Sequence, residues 1–246
     1  MLTCSSSDCD PQEEVDITHG MTQLDRHYVD PRLVQLYDVE NPRGADTDFY
    51  LRLASELNAK KIVDLGCGTG TLTCELAVED RMIVGIDPSP AMLAVARRKP
   101  GGERVQWVEG TSSALGTPAA DLALMTGNVA QIFLEDVEWS ATLRDIHAGL
   151  RPGGYLAFES RNPEAKEWES WHRKATYAQL DSPYGPVQTW LELEDVAGRP
   201  RSLCRLQPLH PHERGGGGAQ RATLSDPGGT HGFLKSSRFH GRPCLR

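Results

Sequence analysis

Val63-Asp64-Leu65-Gly66-Cys67-Gly68-Thr69-Gly70 follows a short apolar run and opens a segment with helical spacing, the setting that a nucleotide-binding turn requires. Residues 61–65 read as a strand and 71–77 as the helix after it. Glycine suits such a turn because the backbone must bend sharply and approach a ligand with no Cβ in the way. The spacing is D-x-G-x-G-x-G rather than the dinucleotide pattern G-x-G-x-x-G, and an acid stands inside the turn. A carboxylate there would repel a pyrophosphate and attract the ammonium of an amino-acid ligand. Asp87 closes the next apolar run, 21 residues after Gly66, where a carboxylate can accept hydrogen bonds from both hydroxyls of a ribose.

A nucleoside joined to a zwitterionic amino acid satisfies both acids, and S-adenosylmethionine (AdoMet) is that molecule. The surrounding chain agrees. Residues 82–86, 104–108, 122–125 and 155–159 read as further strands. Ser89-Pro90 caps a helix through Met92, Leu93, Val95 and Ala96, and residues 137–150 form another that stops at Pro152-Gly153-Gly154. Short apolar strands alternating with helices predict an α/β fold: a Rossmann-like, doubly wound, mostly parallel sheet with helices on both faces.

With these motifs the chain resembles the class I AdoMet-dependent methyltransferases, in the branch of small bacterial enzymes that act on diffusible substrates, over about residues 24–196. The resemblance implies that the glycine turn (Asp64, Gly66, Cys67, Gly68, Gly70) holds the methionine part of AdoMet and that Asp87, with Pro88 beside it, holds the ribose. It places Glu109 to Ser112 against the adenine, chiefly Thr111 and Ser112. Residues 126–131, Asn128 among them, line the mouth that faces the sulfonium. Thr111 departs from the aspartate of many relatives, although a hydroxyl also accepts a hydrogen bond. The family's two closing strands have one counterpart here, residues 187–196, so the C-terminal strands are expected to be incomplete.

The implied activity is methyl transfer to an O, N or C nucleophile of a small molecule, with no catalytic base identified and no metal site. Two alternatives stay open: a non-catalytic AdoMet-binding remnant, and an NAD(P)-dependent oxidoreductase. Cys67 reads as a small filler in the turn, since no nearby histidine would activate it. His147 reads as a surface residue. Tyr28, Tyr37 and Tyr50, with Asp48, lie in N-terminal helices that resemble a lid, where either substrate contact or core packing accounts for them. Trp168 and Trp171, three apart in a stretch that reads as helical (164–173), suggest packing, with cation binding the lesser reading.

The organisation predicted is a disordered leader at 1–20 with Met21 as a candidate start, a methyltransferase domain at 21–198 with its helical lid at 21–58, and an irregular tail at 199–246. Asp46 or Thr47 is the expected cap of the second lid helix. The net charge of -8 is unevenly spread. Residues 199–246 carry nine basic against two acidic residues, leaving the rest at -15. A body so acidic disfavours nucleic acid as a partner. The tail is rich in Arg, Gly, Pro and His without periodicity, as an out-of-frame end would be. The acidic start is unlike a secretion signal, and no apolar run is long enough to span a bilayer. A cytoplasmic location is therefore expected, with Cys4 and Cys9 as free thiols. The oligomeric state and the acceptor are not legible.

Overall fold

The computed structural model describes residues 24–116, 119–133, 135–196, 199–208 and 244–245. The leader 1–20, with Cys4 and Cys9, and the tail beyond 208, apart from 244–245, lie outside them. Nine strands and seven helices are present among the described residues. In chain order they are α1 Arg26–Val29, α2 Pro31–Glu40, α3 Ala45–Glu56, β1 Lys61–Leu65, α4 Thr71–Leu76, β2 Met82–Asp87, α5 Pro90–Ala96 and β3 Val105–Glu109. After these come β4 Ala120–Met125, α6 Asp136–Gly149, β5 Leu150–Phe158, α7 Arg173–Thr176, β6 Ala178–Ser182, β7 Gly185–Val196, β8 Arg199–Pro208 and β9 Cys244–Leu245.

The main sheet runs β3-β2-β1-β4-β5-β9. Its first five strands are parallel, and β9 lies antiparallel beside β5. This is the doubly wound order expected. Alternation along each strand explains why both faces need helices. Ile62, Ile83, Leu122 and Leu124 point to one side, under Tyr50, Leu53 and Ala54 of α3 and Leu72 and Leu76 of α4. Val63, Leu65, Ile86, Ala123 and Met125 point to the other, against Ile146 of α6. Ile86, Leu122 and Leu124 are fully buried, and each such side chain contributes about 1.5–3 kcal/mol of transfer free energy. The strand order reverses between β1 and β4, which opens a crevice at the carboxyl ends of the strands, where ligands of such sheets bind.

Local chemistry sets the element ends. Ser89 accepts from the amide of Met92 with Pro90 at the first helical position of α5, as the sequence predicts. The lid differs from expectation. Residues 24–37, whose spacing reads as helical, divide at Pro31, with Asp30 capping α2. The second starts after Gly44, which offers no side-chain cap, so Asp46 and Thr47 stand inside its first turn. Residues 164–173, expected as one helix, form two short 3-10 turns at Pro163–Ala165 and Glu167–Ser170 before α7 begins. Between Ala120 and Leu122 the β4–β5 register shifts, where Gly153 takes a positive φ of 77° and absorbs the extra residues. Residues 199–208, expected within the irregular tail, pair as β8 with β7 over Val187–Val196, in a second, antiparallel sheet ordered β6-β7-β8. The sequence pattern missed β8 because Pro200 and Pro208 bracket it and its polar residues do not alternate strictly.

Candidate functional site

The turn after β1 is held from below by its own backbone. The amides of Gly66 and Cys67 donate to the Ile86 carbonyl at 2.7 and 3.1 Å, and Gly70 donates to the Cys67 carbonyl at 2.9 Å. Gly66, Gly68 and Gly70 all have positive φ, but they are glycine for different reasons. A Cβ on Gly66 would stand 2.3 Å from Val129, and one on Gly70 would stand 2.6 Å from the Trp107 ring. A Cβ on Gly68 would meet nothing within 4 Å. Gly68 is therefore the face left open for a ligand, while the other two glycines admit neighbouring protein.

One carboxylate stands beside that open face and a second lies beneath the turn. Asp87 is buried; its Oδ2 accepts from the Gly68 amide and its Oδ1 from the Ser89 amide, both at 2.8 Å. Asp64 points beneath α4, 2% exposed. Its Oδ2 accepts from the Thr73 hydroxyl at 2.6 Å, and its Oδ1 is buried with no hydrogen-bond partner among the described residues. Burial pushes the Asp64 carboxyl up to about 6, Thr73 opposes this, and the Asp87 charge adds to it. Burial likewise raises Asp87, against the two amides that favour its charged form. Two raised acids at the ends of neighbouring strands, one with an oxygen unpartnered among the described residues, favour positive charge and hydroxyl donors near the turn.

The N-terminal helices pack beside this point. Tyr28 accepts a hydrogen bond at its carbonyl from the Ser89 hydroxyl at 2.5 Å. The rings of His27, Tyr28 and Tyr37 form a triangle with centroids 5.7–6.1 Å apart. Burial is the main cause that raises the phenols of Tyr28 and Tyr37, the latter to about 12, and Asp87 adds to both. Asp38 of α2 ties the lid to the turn: it accepts from Thr69 at 2.5 Å and pairs with Lys99 at 2.8 Å.

Of the remaining sequence candidates, Pro88 is half-buried between Asp87 and Ser89. Ser112 is buried, with its hydroxyl donating to Asp145 at 2.6 Å, so only its backbone is free to meet a ligand. Thr111 is exposed and shares a hydrogen bond with Ser113. Asn128 takes a left-handed φ of 70° just beyond β4. Cys67 is half-buried, and burial, with the two aspartates behind it, pushes its thiol up, which suits a filler rather than a nucleophile. His147 is exposed on α6. Asp48 is drawn away from the site by Arg43, at 2.6 Å.

Three side chains escaped the sequence reading or its emphasis. Glu159, just past β5, is buried; its Oε1 accepts from the amides of Gly127 and Asn128 at 2.8 and 3.4 Å, and its Oε2 from the Tyr50 hydroxyl at 2.9 Å. It holds the segment after β4 in place. Tyr50 is thereby a lid-side prop, its phenol raised by burial and by Glu159. Arg161 follows two residues later, its guanidinium over the Trp171 ring at 5.0 Å from the centroid. An acid ending an apolar strand was the available signal for Glu159, the same signal that marks Asp87.

Residues 62–154 match the family model of a methyltransferase domain. Among curated relatives, the chain is 33% identical over 115 residues to the ubiquinone/menaquinone biosynthesis C-methyltransferase UbiE of Rubrivivax gelatinosus, covering 46% of this chain and 45% of that one. It is 35% identical over 132 residues to the demethylmenaquinone methyltransferase of Thermus thermophilus, covering 50% and 58%. The chain thus spans about half the length of the curated relatives it matches. Among solved structures it shares the fold of the sugar N-methyltransferase KedS8 from Streptoalloteichus, with a TM-score of 0.52 at 18% identity over 72% of this chain and 78% of that one. An AdoMet-dependent methyltransferase from Clostridium acetobutylicum gives a TM-score of 0.51 at 17% identity, over 74% and 82%. The strand order agrees with these matches: the chain carries, over residues 62–154, a methyltransferase domain of the class I AdoMet-dependent kind, whose cofactor is AdoMet.

Proposed function

We propose that this chain transfers the methyl group of AdoMet to an O, N or C nucleophile of a small molecule. The observation that carries the reading is the open Gly68, whose amide donates to the buried Asp87, with a second buried carboxylate, Asp64, at the end of β1 whose Oδ1 has no hydrogen-bond partner among the described residues. That arrangement suits an ammonium-bearing nucleoside and repels the pyrophosphate of a nicotinamide cofactor.

In this reading the turn from Gly66 to Gly70 cradles the methionine part, with Asp64 supplying negative charge behind it. Asp87 accepts from the ribose hydroxyls, giving up its bond to the Gly68 amide or sharing it. Pro88 shapes the rim, the backbone of Thr111 and Ser112 flanks the adenine, and Asn128 stands at the mouth. AdoMet supplies a methyl group already activated on a sulfonium, so the protein is required mainly to align the acceptor and exclude water. Alignment of this kind is worth up to about 7–11 kcal/mol in favourable cases. Tyr28 and Tyr37 exclude water above Asp87, and Glu159 fixes the acceptor-side turn. Among the described residues no helix is long and apolar enough to cross a membrane.

Calorimetric titration with AdoMet, beside Gly68→Val, Asp87→Ala and a parallel titration with NAD, tests this. Micromolar AdoMet binding lost in both variants is the expected result. Binding of NAD in place of AdoMet by the folded protein refutes it, and AdoMet binding without methyl transfer to any of a broad acceptor panel favours a non-catalytic role.

A further inference from the structure

Arg161 stands three residues past the end of β5, and the Nε and Nη2 atoms of its guanidinium are buried without a hydrogen-bond partner. These two atoms form one edge of the planar group, with their N–H bonds parallel, a fork that matches the two oxygens of a carboxylate. The chain itself shows the match elsewhere: Arg32 donates from Nε and Nη2 to the two oxygens of Asp30 at 3.0 and 2.7 Å. At Arg161 the same edge has no protein acceptor among the described residues. Glu167 is near enough to act electrostatically but makes no ion pair with it.

The surroundings orient this edge. The Trp171 ring beneath the guanidinium holds its plane. The Tyr28 phenol lies within electrostatic reach of both Arg161 and Asp87, which sets the guanidinium near the part of the crevice covered by the N-terminal helices. Yet it approaches from the far side, because β4 separates β5 from β1 in the sheet. At the usual strand spacing, β5 ends about 10 Å from the glycine turn. That is the acceptor's half of the crevice, not the half that takes the methionine end.

We propose that the Nε–Nη2 edge of Arg161 docks a carboxylate on the methyl acceptor, an inference that rests on the methyl-transfer reading above. A single guanidinium neutralises one negative charge. With Glu167 already acting on it, a dianionic phosphate would remain uncompensated, which favours the monoanion. The flat face of Trp171 beside the fork suits an acceptor whose carboxylate is borne on an apolar or aromatic body.

The test uses the full chain saturated with S-adenosylhomocysteine and titrated by calorimetry with benzoate, its neutral counterpart benzamide and inorganic phosphate, in the wild type, Arg161→Gln and Arg161→Lys. Thermal melts confirm that each variant is folded. The wild type is expected to bind benzoate at least tenfold tighter than benzamide. Arg161→Gln should abolish that preference, and Arg161→Lys, which keeps the charge but not the fork, should retain part of it. S-adenosylhomocysteine affinity should stay within twofold throughout. Equal binding of benzoate and benzamide, or a preference that survives in Arg161→Gln, overturns the proposal. So does phosphate binding tighter than benzoate, and so does a loss of S-adenosylhomocysteine affinity in Arg161→Gln, which would assign the edge to the cofactor's own carboxylate. Failure of the wild type to bind S-adenosylhomocysteine at all is seen before any probe is added. That failure counts against the methyl-transfer reading, and the benzoate comparison on the unliganded chain then decides the anion site separately.

Discussion

Replacing Asp64 with asparagine separates what this carboxylate costs the empty fold from what it does for the cofactor. Burial lifts the Asp64 carboxyl from 3.8 to about 6, roughly two pH units, or on the order of 3 kcal/mol at 1.36 kcal/mol per unit. The direction follows from proton linkage. Between these two values the folded state binds the proton more tightly than the unfolded state, so stability falls as pH rises through that window, and the penalty is complete above pH 6. Asp64→Asn removes it. The amide that replaces Oδ1 is itself unpartnered, which adds a constant offset, so the diagnostic quantity is the change with pH. Relative to the wild type, the variant should gain about 3 kcal/mol between pH 4 and pH 7, a relative rise in Tm of roughly 6–12 °C for a chain of this size. Parallel thermal melts at half-unit steps of pH, without ligand, measure it. In the same variant AdoMet affinity at pH 7 should fall at least tenfold, because the ammonium loses its charged partner. A Tm difference that stays flat from pH 4 to pH 7 would refute the argument that Asp64 ionises inside the fold at neutral pH.

Glu159→Gln leaves one oxygen where Glu159 had two, facing the Tyr50 hydroxyl and the amides of Gly127 and Asn128. One donor loses its charge-assisted acceptor, so a loss of about 1–2 kcal/mol in urea unfolding is expected, softened by the burial that already disfavours the charged form. Once an acceptor is in hand, turnover should fall more than AdoMet affinity; an unchanged midpoint and unchanged turnover would remove Glu159 from its supporting role. Cys67, whose thiol is pushed up by burial, should resist iodoacetamide at pH 8 in the folded chain and react on unfolding, read peptide by peptide by mass spectrometry. Rapid labelling of Cys67 in the native state would contradict its place in the turn.

Legibility in the sequence followed the strength of the local rule. The five parallel strands and the turn at 66–70 were readable because a sheet buried on both faces demands short apolar runs, and because positive φ at Gly66, Gly68 and Gly70 excludes other residues cheaply. The roles within the turn were less legible: nothing in the letters says that Gly66 yields to Val129 while Gly68 faces open space. Nor does the pattern show that Ser112 turns its hydroxyl to Asp145, since that bond joins residues 33 apart in sequence. Residues 164–173 misled because their tryptophans sit at helical spacing while Lys166 takes a positive φ of 45°, which breaks the segment into separate turns.

The two halves of the crevice differ for a related physical reason. The cofactor half is built from backbone, a turn whose amides and missing Cβ atoms do the recognising, and backbone geometry constrains residue type tightly enough to leave a motif. The other half is built from side chains at the end of β5 and in the irregular segment beyond it, where Glu159 satisfies backbone amides and the Nε and Nη2 of Arg161 have no hydrogen-bond partner among the described residues. A buried guanidinium edge without an acceptor is costly to maintain unless something outside the chain completes it. The residue that the sequence pattern singled out least is thus the one whose surroundings ask most plainly for a ligand, and Arg161→Gln is the substitution in this molecule expected to change what is bound without changing the fold.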